Sequence, residues 1–226
     1  MQHAGRESRQ NSAYNLAPPK RRLADLVVVM VWLLLLAAVL SIPYLTRSPS
    51  LGDDLTRHTV RLALAYYALG ATLMLLLLPA DWLTSYGLGR LARWCWTFAW
   101  ATYLVHLAMA FHYYHDWSHA DAVAHTHEVS GFGPGIWFSH LFTLVWTVDV
   151  ALWWRWPVGY ALRSPWWDRL LHGYMAFIIF NATVVYETGP IRWGGIFLFV
   201  ELAAVLVYRK LASRPRGKKS SNPQLV

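Results

Sequence analysis

The sequence predicts an all-α, polytopic membrane helix bundle, and three observations carry that expectation. Hydrophobic residues make up 56% of the chain and Asp, Glu, Lys and Arg only 14%, against about 25% charged residues in soluble domains. Several uncharged runs approach or pass the roughly 20 residues that cross a bilayer as a helix. Lys and Arg flank these runs and collect in the two tails, which is how membrane proteins set their orientation. A soluble fold would have to enclose five or six helices that are apolar all round, more than so short a chain can bury. The net charge of +8 therefore speaks of topology and not of nucleic acid. A single cysteine, Cys95, excludes an intramolecular disulfide and a thiolate metal cluster.

Residues 1–22 are polar, close on Lys20-Arg21-Arg22 and are expected to be a disordered basic tail. The first span is 26–45, uncharged throughout. It is longer than the apolar core of a signal peptide and ends at Pro43-Tyr44-Leu45 in place of small residues. A polar loop with Pro49, Gly52 and Asp53-Asp54 leads to the second span, 62–80. The turn Ser85-Tyr86-Gly87-Leu88-Gly89 precedes Arg90, Arg93 and the third span, 94–115. The segment 117–130 is polar, and Gly131-Phe132-Gly133-Pro134-Gly135 breaks any helix there. The fourth span, 135–154, carries one charge, Asp149. Trp153, Trp154, Trp156, Trp166 and Trp167 then read as an interfacial belt. The fifth span, 170–186, turns through Glu187-Thr188-Gly189-Pro190 into the sixth, 193–208, which is short and contains Glu201. A five-span alternative leaves that last one out. The tail 209–226 is basic, expected to be disordered and suited to anionic lipid.

Six spans with the N-terminus inside place 16 Lys and Arg on the cytoplasmic side and 4 on the other. That asymmetry favours an even number of spans with both termini cytoplasmic. It predicts that the loop between spans three and four faces outward, which is periplasmic in a bacterial inner membrane.

That loop holds the one concentration of chemistry. Between His106 and Glu128 lie six of the ten histidines and three carboxylates, Asp116, Asp121 and Glu128, with no Lys or Arg. If the third helix continues past the membrane surface, His112, His115, Asp116 and His119 fall within an arc of about 100°. Side chains three and four apart on that arc can converge on one cation. Imidazole with carboxylate is a ligand set for Cu, Zn or Fe, with a carboxylate free to hold the second imidazole nitrogen. His140, at the start of span four, His58, in the first outer loop, and His125 and His127 lie at similar depth. On a helix the last two would point apart. His106 sits deeper and is a functional candidate because a lone intramembrane histidine is costly without a partner. Haem b held by His106 and His140 is the less favoured cofactor reading.

Phe111-His112-Tyr113-Tyr114-His115-Asp116-Trp117-Ser118-His119-Ala120 resembles a stretch of uncharacterised bacterial multi-pass inner-membrane proteins. The likeness extends to about Trp154 and implies a location but no function. Only one HxxxH box, His115 to His119, and no HxxHH box is present, unlike the membrane fatty-acid desaturases. No nucleophile motif, phosphate loop or dinucleotide fingerprint occurs.

The leading expectation is therefore an outward-facing site for a transition metal formed by His112, His115, Asp116, His119 and His140, with His125 and His127 nearby. It would serve metal handling, cofactor assembly or redox chemistry. A non-catalytic structural or assembly subunit packed against other membrane subunits is the alternative. A proton-coupled transporter using Asp149, Asn181 and Glu201 is a second alternative, although polar residues in spans more often hydrogen-bond between helices.

Overall fold

The computed structural model describes residues 19–78, 81–82 and 87–212. Among these residues every regular element is a helix and no strand occurs. In chain order they are α1 (Pro19–Leu45), α2 (Leu51–Leu76), α3 (Gly87–Tyr114), α4 (His119–Ser130), α5 (Ile136–Arg155), α6 (Pro157–Ala161), α7 (Pro165–Phe180) and α8 (Gly189–Ala212). One wide π turn, Asn181–Val185, prolongs α7. Four segments are long and apolar enough to cross a membrane: Leu23–Leu45, Leu51–Leu76, Gly133–Arg155 and Gly189–Ala212. They support a multi-pass membrane protein.

The expected third and fifth spans correspond to α3 and α7, which do not meet that standard of length and composition. α7 is 16 residues long. α3 is long, but Trp94, Trp96, Thr97, Trp100, Thr102, Tyr103 and His106 dilute its apolar run. Those residues are there because α3 is internal: Ala92, Trp96, Ala99 and Thr102 are wholly buried. Its buried Thr102 hydroxyl and Trp96 indole find protein partners.

Boundaries also differ from expectation. α1 starts at Pro19, so Lys20-Arg21-Arg22 lie in its first turn, where Pro19 supplies a pre-set φ and lacks only an N–H that would be unpaired anyway. α2 starts at Leu51 and takes in the expected polar loop. Asp53 and Asp54 occupy its first turn, where negative charge favours a helix start. α8 runs on through Arg209 and Lys210. The remainder of both tails, 1–18 and 213–226, and the expected turn at Ser85-Tyr86 lie outside the described residues.

Indole and phenol groups tie the helices together. Trp32 of α1 donates from Nε1 to Thr102 Oγ1 of α3 at 3.0 Å. Trp100 of α3 donates to Thr147 of α5 at 3.0 Å, and Trp154 of α5 donates back to Thr97 of α3 at 2.9 Å. Tyr103 Oη meets Thr143 Oγ1 at 2.9 Å. Thr143 and Thr147 also bond the carbonyl one turn before them, so each hydroxyl both donates its proton and accepts from a ring. With no water in the bilayer core, such pairing is obligatory. The backbones come close where glycine permits. A Cβ on Gly70 of α2 would meet the Trp96 amide at 3.2 Å, and one on Gly195 of α8 would meet Thr183 Oγ1 at 2.5 Å.

At one end, Asp25 of α1 receives a two-pronged pair from Arg90 of α3, each N···O 2.5 Å, and the Trp94 indole at 3.0 Å. Nearby, Asp149 of α5 is wholly buried. It accepts from Trp96 Nε1 at 2.8 Å, Tyr160 Oη at 3.0 Å and Arg163 Nη1 at 2.7 Å. Arg163 also pairs with Asp168 and lies over the Tyr160 ring. Trp153 and Trp154, expected in an interfacial belt, belong to this interior: Trp153 is buried and stacks on Tyr160 at 4.7 Å. Trp156, Trp166 and Trp167 are exposed. His172 sits inside too, edge-on to Trp96 at 5.5 Å and 3.4 Å from Arg163 Nη2.

Removing one partner of a buried ion pair strands the other. Asp149→Leu is expected to lower stability by about 3 kcal/mol, measured by reversible unfolding in mixed micelles. Asp149→Leu with Arg163→Met, which removes both charges, is expected to recover most of that loss.

Candidate functional site

The histidine-rich end is built by a chain reversal. α3 stops at Tyr114, and Asp116 and Trp117 take left-handed conformations at φ 44° and 60°. Trp117 N–H closes on Phe111 O at 3.0 Å and Ser118 N–H on His115 O at 2.6 Å, satisfying carbonyls that a helix end leaves open. Asp tolerates this backbone region. α4 then starts afresh. Ser118 caps it by accepting from Asp121 N–H at 3.2 Å, and Gly131 ends it at φ 74° with its N–H on His127 O. The expected continuous helical face carrying His112, His115, Asp116 and His119 therefore does not form, because the helix ends between the first and second of them.

The reversal creates different neighbours. His115, in the turn, and His125, on the second turn of α4, bring their rings to 5.3 Å. His119, opening α4, and His140, in the first turns of α5, stack at 5.3 Å with 29° between planes. Two imidazoles on one tetrahedral cation, each nitrogen at about 2.0–2.1 Å, put their ring centres about 5 Å apart. Both pairs match that spacing, and both join different elements. Aromatic rings hold them: Phe111 lies 5.4 Å from His115, Tyr114 stacks 6.2 Å from His125, and Trp137 lies 5.4 Å from His119 and 5.5 Å from His140.

The other expected ligands lie apart. His112 is exposed and contacts Tyr113. His127 is exposed on α4, two residues from His125 and turned away from it. Asp116 and Asp121 are exposed, and Glu128 lies 3.9 Å from His125 Nδ1. His58 lies in a shallow groove between α1 and α2. Among the described residues, no group of three or more His, Cys, Asp or Glu side chains is placed to hold a metal ion.

Two cavities lie beneath this end. The inner one, about 240 Å³, is lined by Tyr67, Tyr103, His106, His115, Phe142 and Trp146 among others. The second, about 420 Å³, runs under α4 past His125 and shares Ser139, Ile178 and Ala182 with the first. The His115/His125 pair thus bridges the rims of both. His106 stands on the inner wall with Nδ1 3.0 Å from Thr56 O. His140 does not line that cavity, so His106 and His140 do not face a common space for haem.

The polar residues of the transport alternative are separately engaged. Asp149 is held as described, Asn181 donates to Phe177 O of its own helix at 2.8 Å, and Glu201 accepts from Thr72 of α2 at 2.7 Å. The pairing of His115 with His125 and of His119 with His140 had no signal in sequence spacing. α4 itself had one, in the cap Ser118-x-x-Asp121 and the closing Gly131. No protein-family model, curated protein or solved structure matches the chain.

His115 titrates in a way that can be measured. Partial burial, and then the charge of neighbouring His125, hold its imidazole below the ordinary histidine range. The unfolded chain then binds a proton that the folded chain resists. Stability is unaffected above about pH 7 and falls as pH drops through about 6.5. The unfolding midpoint of wild type is expected to decline between pH 7 and pH 5 more steeply than that of His115→Gln.

Proposed function

We propose that this multi-pass membrane protein binds a transition-metal cation, Cu, Zn or Fe, at its histidine-rich end. The ligands are the pairs His115/His125 and His119/His140, and the role is metal handling, cofactor assembly or redox chemistry. The observation that carries the reading is that two independent pairs, each built across separate elements, come to the ring spacing of a shared cation. Sequence neighbours on one helix would meet by periodicity alone; these do not.

Two imidazoles leave the remaining coordination positions to water or an incoming ligand. That suits a cation which arrives and leaves better than one locked in a closed centre, whose sites are four-coordinate with protein ligands. The exposed carboxylates Asp116, Asp121 and Glu128, with no Lys or Arg in the segment, give the approach a negative potential. His112 and His127 stand on the same end as exposed auxiliary ligands. With all six long helices crossing, the charge asymmetry of 16 to 4 puts both termini in the cytoplasm. The site then faces the periplasm of a bacterial inner membrane.

One observation favours a second reading, a non-catalytic structural or assembly subunit. Trp117, Phe132 and Trp137 are all exposed at this same end, a surface suited to another membrane subunit.

Metal content separates the two. Detergent-purified protein exposed to zinc or copper and then desalted is expected to retain at least one metal per chain by elemental analysis. His115→Ala with His119→Ala is expected to abolish retention, and each single change to reduce it. Retention below about a tenth of a metal per wild-type chain contradicts the proposal, since even open histidine sites bind metal at neutral pH.

A further inference from the structure

The inner cavity suggests a second ligand, of a different chemistry from the metal. Thr56 O can only accept, so the 3.0 Å contact makes His106 Nδ1 the donor. In the neutral ring the lone pair is then on Nε2, which has no hydrogen-bond partner among the described residues. Trp146 lines the same cavity, and its indole Nε1–H is buried without a partner. Both rings flank one side chain: His106 lies 6.4 Å and Trp146 5.6 Å from the Tyr103 ring. Tyr103 is itself satisfied by Thr143. The wall thus offers an acceptor in His106 Nε2 and a buried, unpartnered donor in Trp146 Nε1–H, in a chamber whose remaining lining is mainly aromatic and aliphatic, with His115, Ser139 and Thr183.

A buried donor left unpaired, as Trp146 Nε1–H is, is costly and calls for an explanation. We propose that the cavity binds a small neutral molecule consisting of an aromatic ring with a hydroxyl group, of the phenol or quinol class. The hydroxyl proton goes to His106 Nε2 and its oxygen accepts from Trp146 Nε1. Size agrees, because an apolar cavity of about 150 Å³ accepts benzene and this one has about 240 Å³, room for a ring with a short substituent. Tyr67, Phe142 and Trp146 supply ring faces and edges for it to pack against. The adjoining cavity of about 420 Å³ provides the way in beneath α4, past Phe132 and Phe138.

The test uses the full chain in lipid nanodiscs, stripped of metal with a chelator so that the outcome is independent of the metal reading. Equilibrium dialysis against 4-propylphenol and 4-propylanisole, with protein-free nanodiscs as the reference for partitioning, reads binding directly. The ether keeps the ring, the chain and the acceptor but cannot donate to His106. Wild type is expected to bind the phenol saturably, one per chain, and the ether about tenfold more weakly, the size of one hydrogen bond. His106→Leu is expected to weaken the phenol about tenfold and leave the ether unchanged, and Trp146→Phe to weaken both. Equal affinity of wild type for phenol and ether overturns the proposal, as does uptake no greater than that of empty nanodiscs. The wild-type comparison decides even where a variant fails to fold.

Discussion

Lipid offers no hydrogen-bond partner, and the buried carboxylate Asp149 shows how the whole bundle answers that constraint. Its oxygens are taken by an indole, a phenol and a guanidinium from three separate elements. α3, α5 and the loop around α6 are fixed together by that one residue. The Trp–Thr and Tyr–Thr bonds repeat the same logic along α3 and α5 at successive turns. Each is worth little alone. Together they fix the rotation of α3 about its axis, because Trp96, Trp100 and Tyr103 must all face α5 at once. That rotation aims His106 at α2 and the inner cavity.

The histidine-rich end depends on that fixed helix, and then on a deliberate break in it. Left-handed Asp116 and Trp117 stop α3 and return the chain as α4 across the top of the bundle. Without the break, His115 and His119 would lie on one exposed helical face. With it, each is delivered to a different histidine, on α4 and on α5. The aromatic residues of this end then act as spacers that hold imidazole rings at 5.3 Å in both pairs. The metal reading and the cavity reading share this scaffold but use different residues. His115 alone touches both, lining the chamber with one side and facing His125 with the other.

Much of the fold was legible in the sequence because hydrophobicity is a local property. The uncharged run 26–45 and the segment ending at Trp154 stand out by composition, and the structure gives helices there. Other features escaped for physical reasons. Tryptophan is read as an interfacial residue by default, yet Trp153 and Trp154 are interior because partners sit across helices, which no local pattern reveals. The α4 segment reads in the sequence as a polar stretch although its cap residues are present. In the candidate site, the dense histidines mark the end of the molecule where the two imidazole pairs lie. The ligand geometry inferred from a 100° step failed at Asp116, since a left-handed turn at a non-glycine residue has only a weak sequence signature. His106 was singled out by its depth alone, and its cavity and its pairing with Thr56 needed three dimensions.

The claim on which the functional reading stands is that paired imidazoles from separate elements hold the cation. X-ray absorption at the metal edge, on the zinc-loaded full-length protein, counts those imidazoles directly. The account predicts two imidazole nitrogens per zinc at about 2.0–2.1 Å, with oxygen completing the shell, and loss of the imidazole signal in the His115→Ala, His119→Ala variant. A zinc shell of oxygen alone, or an imidazole count unchanged in that variant, would contradict it.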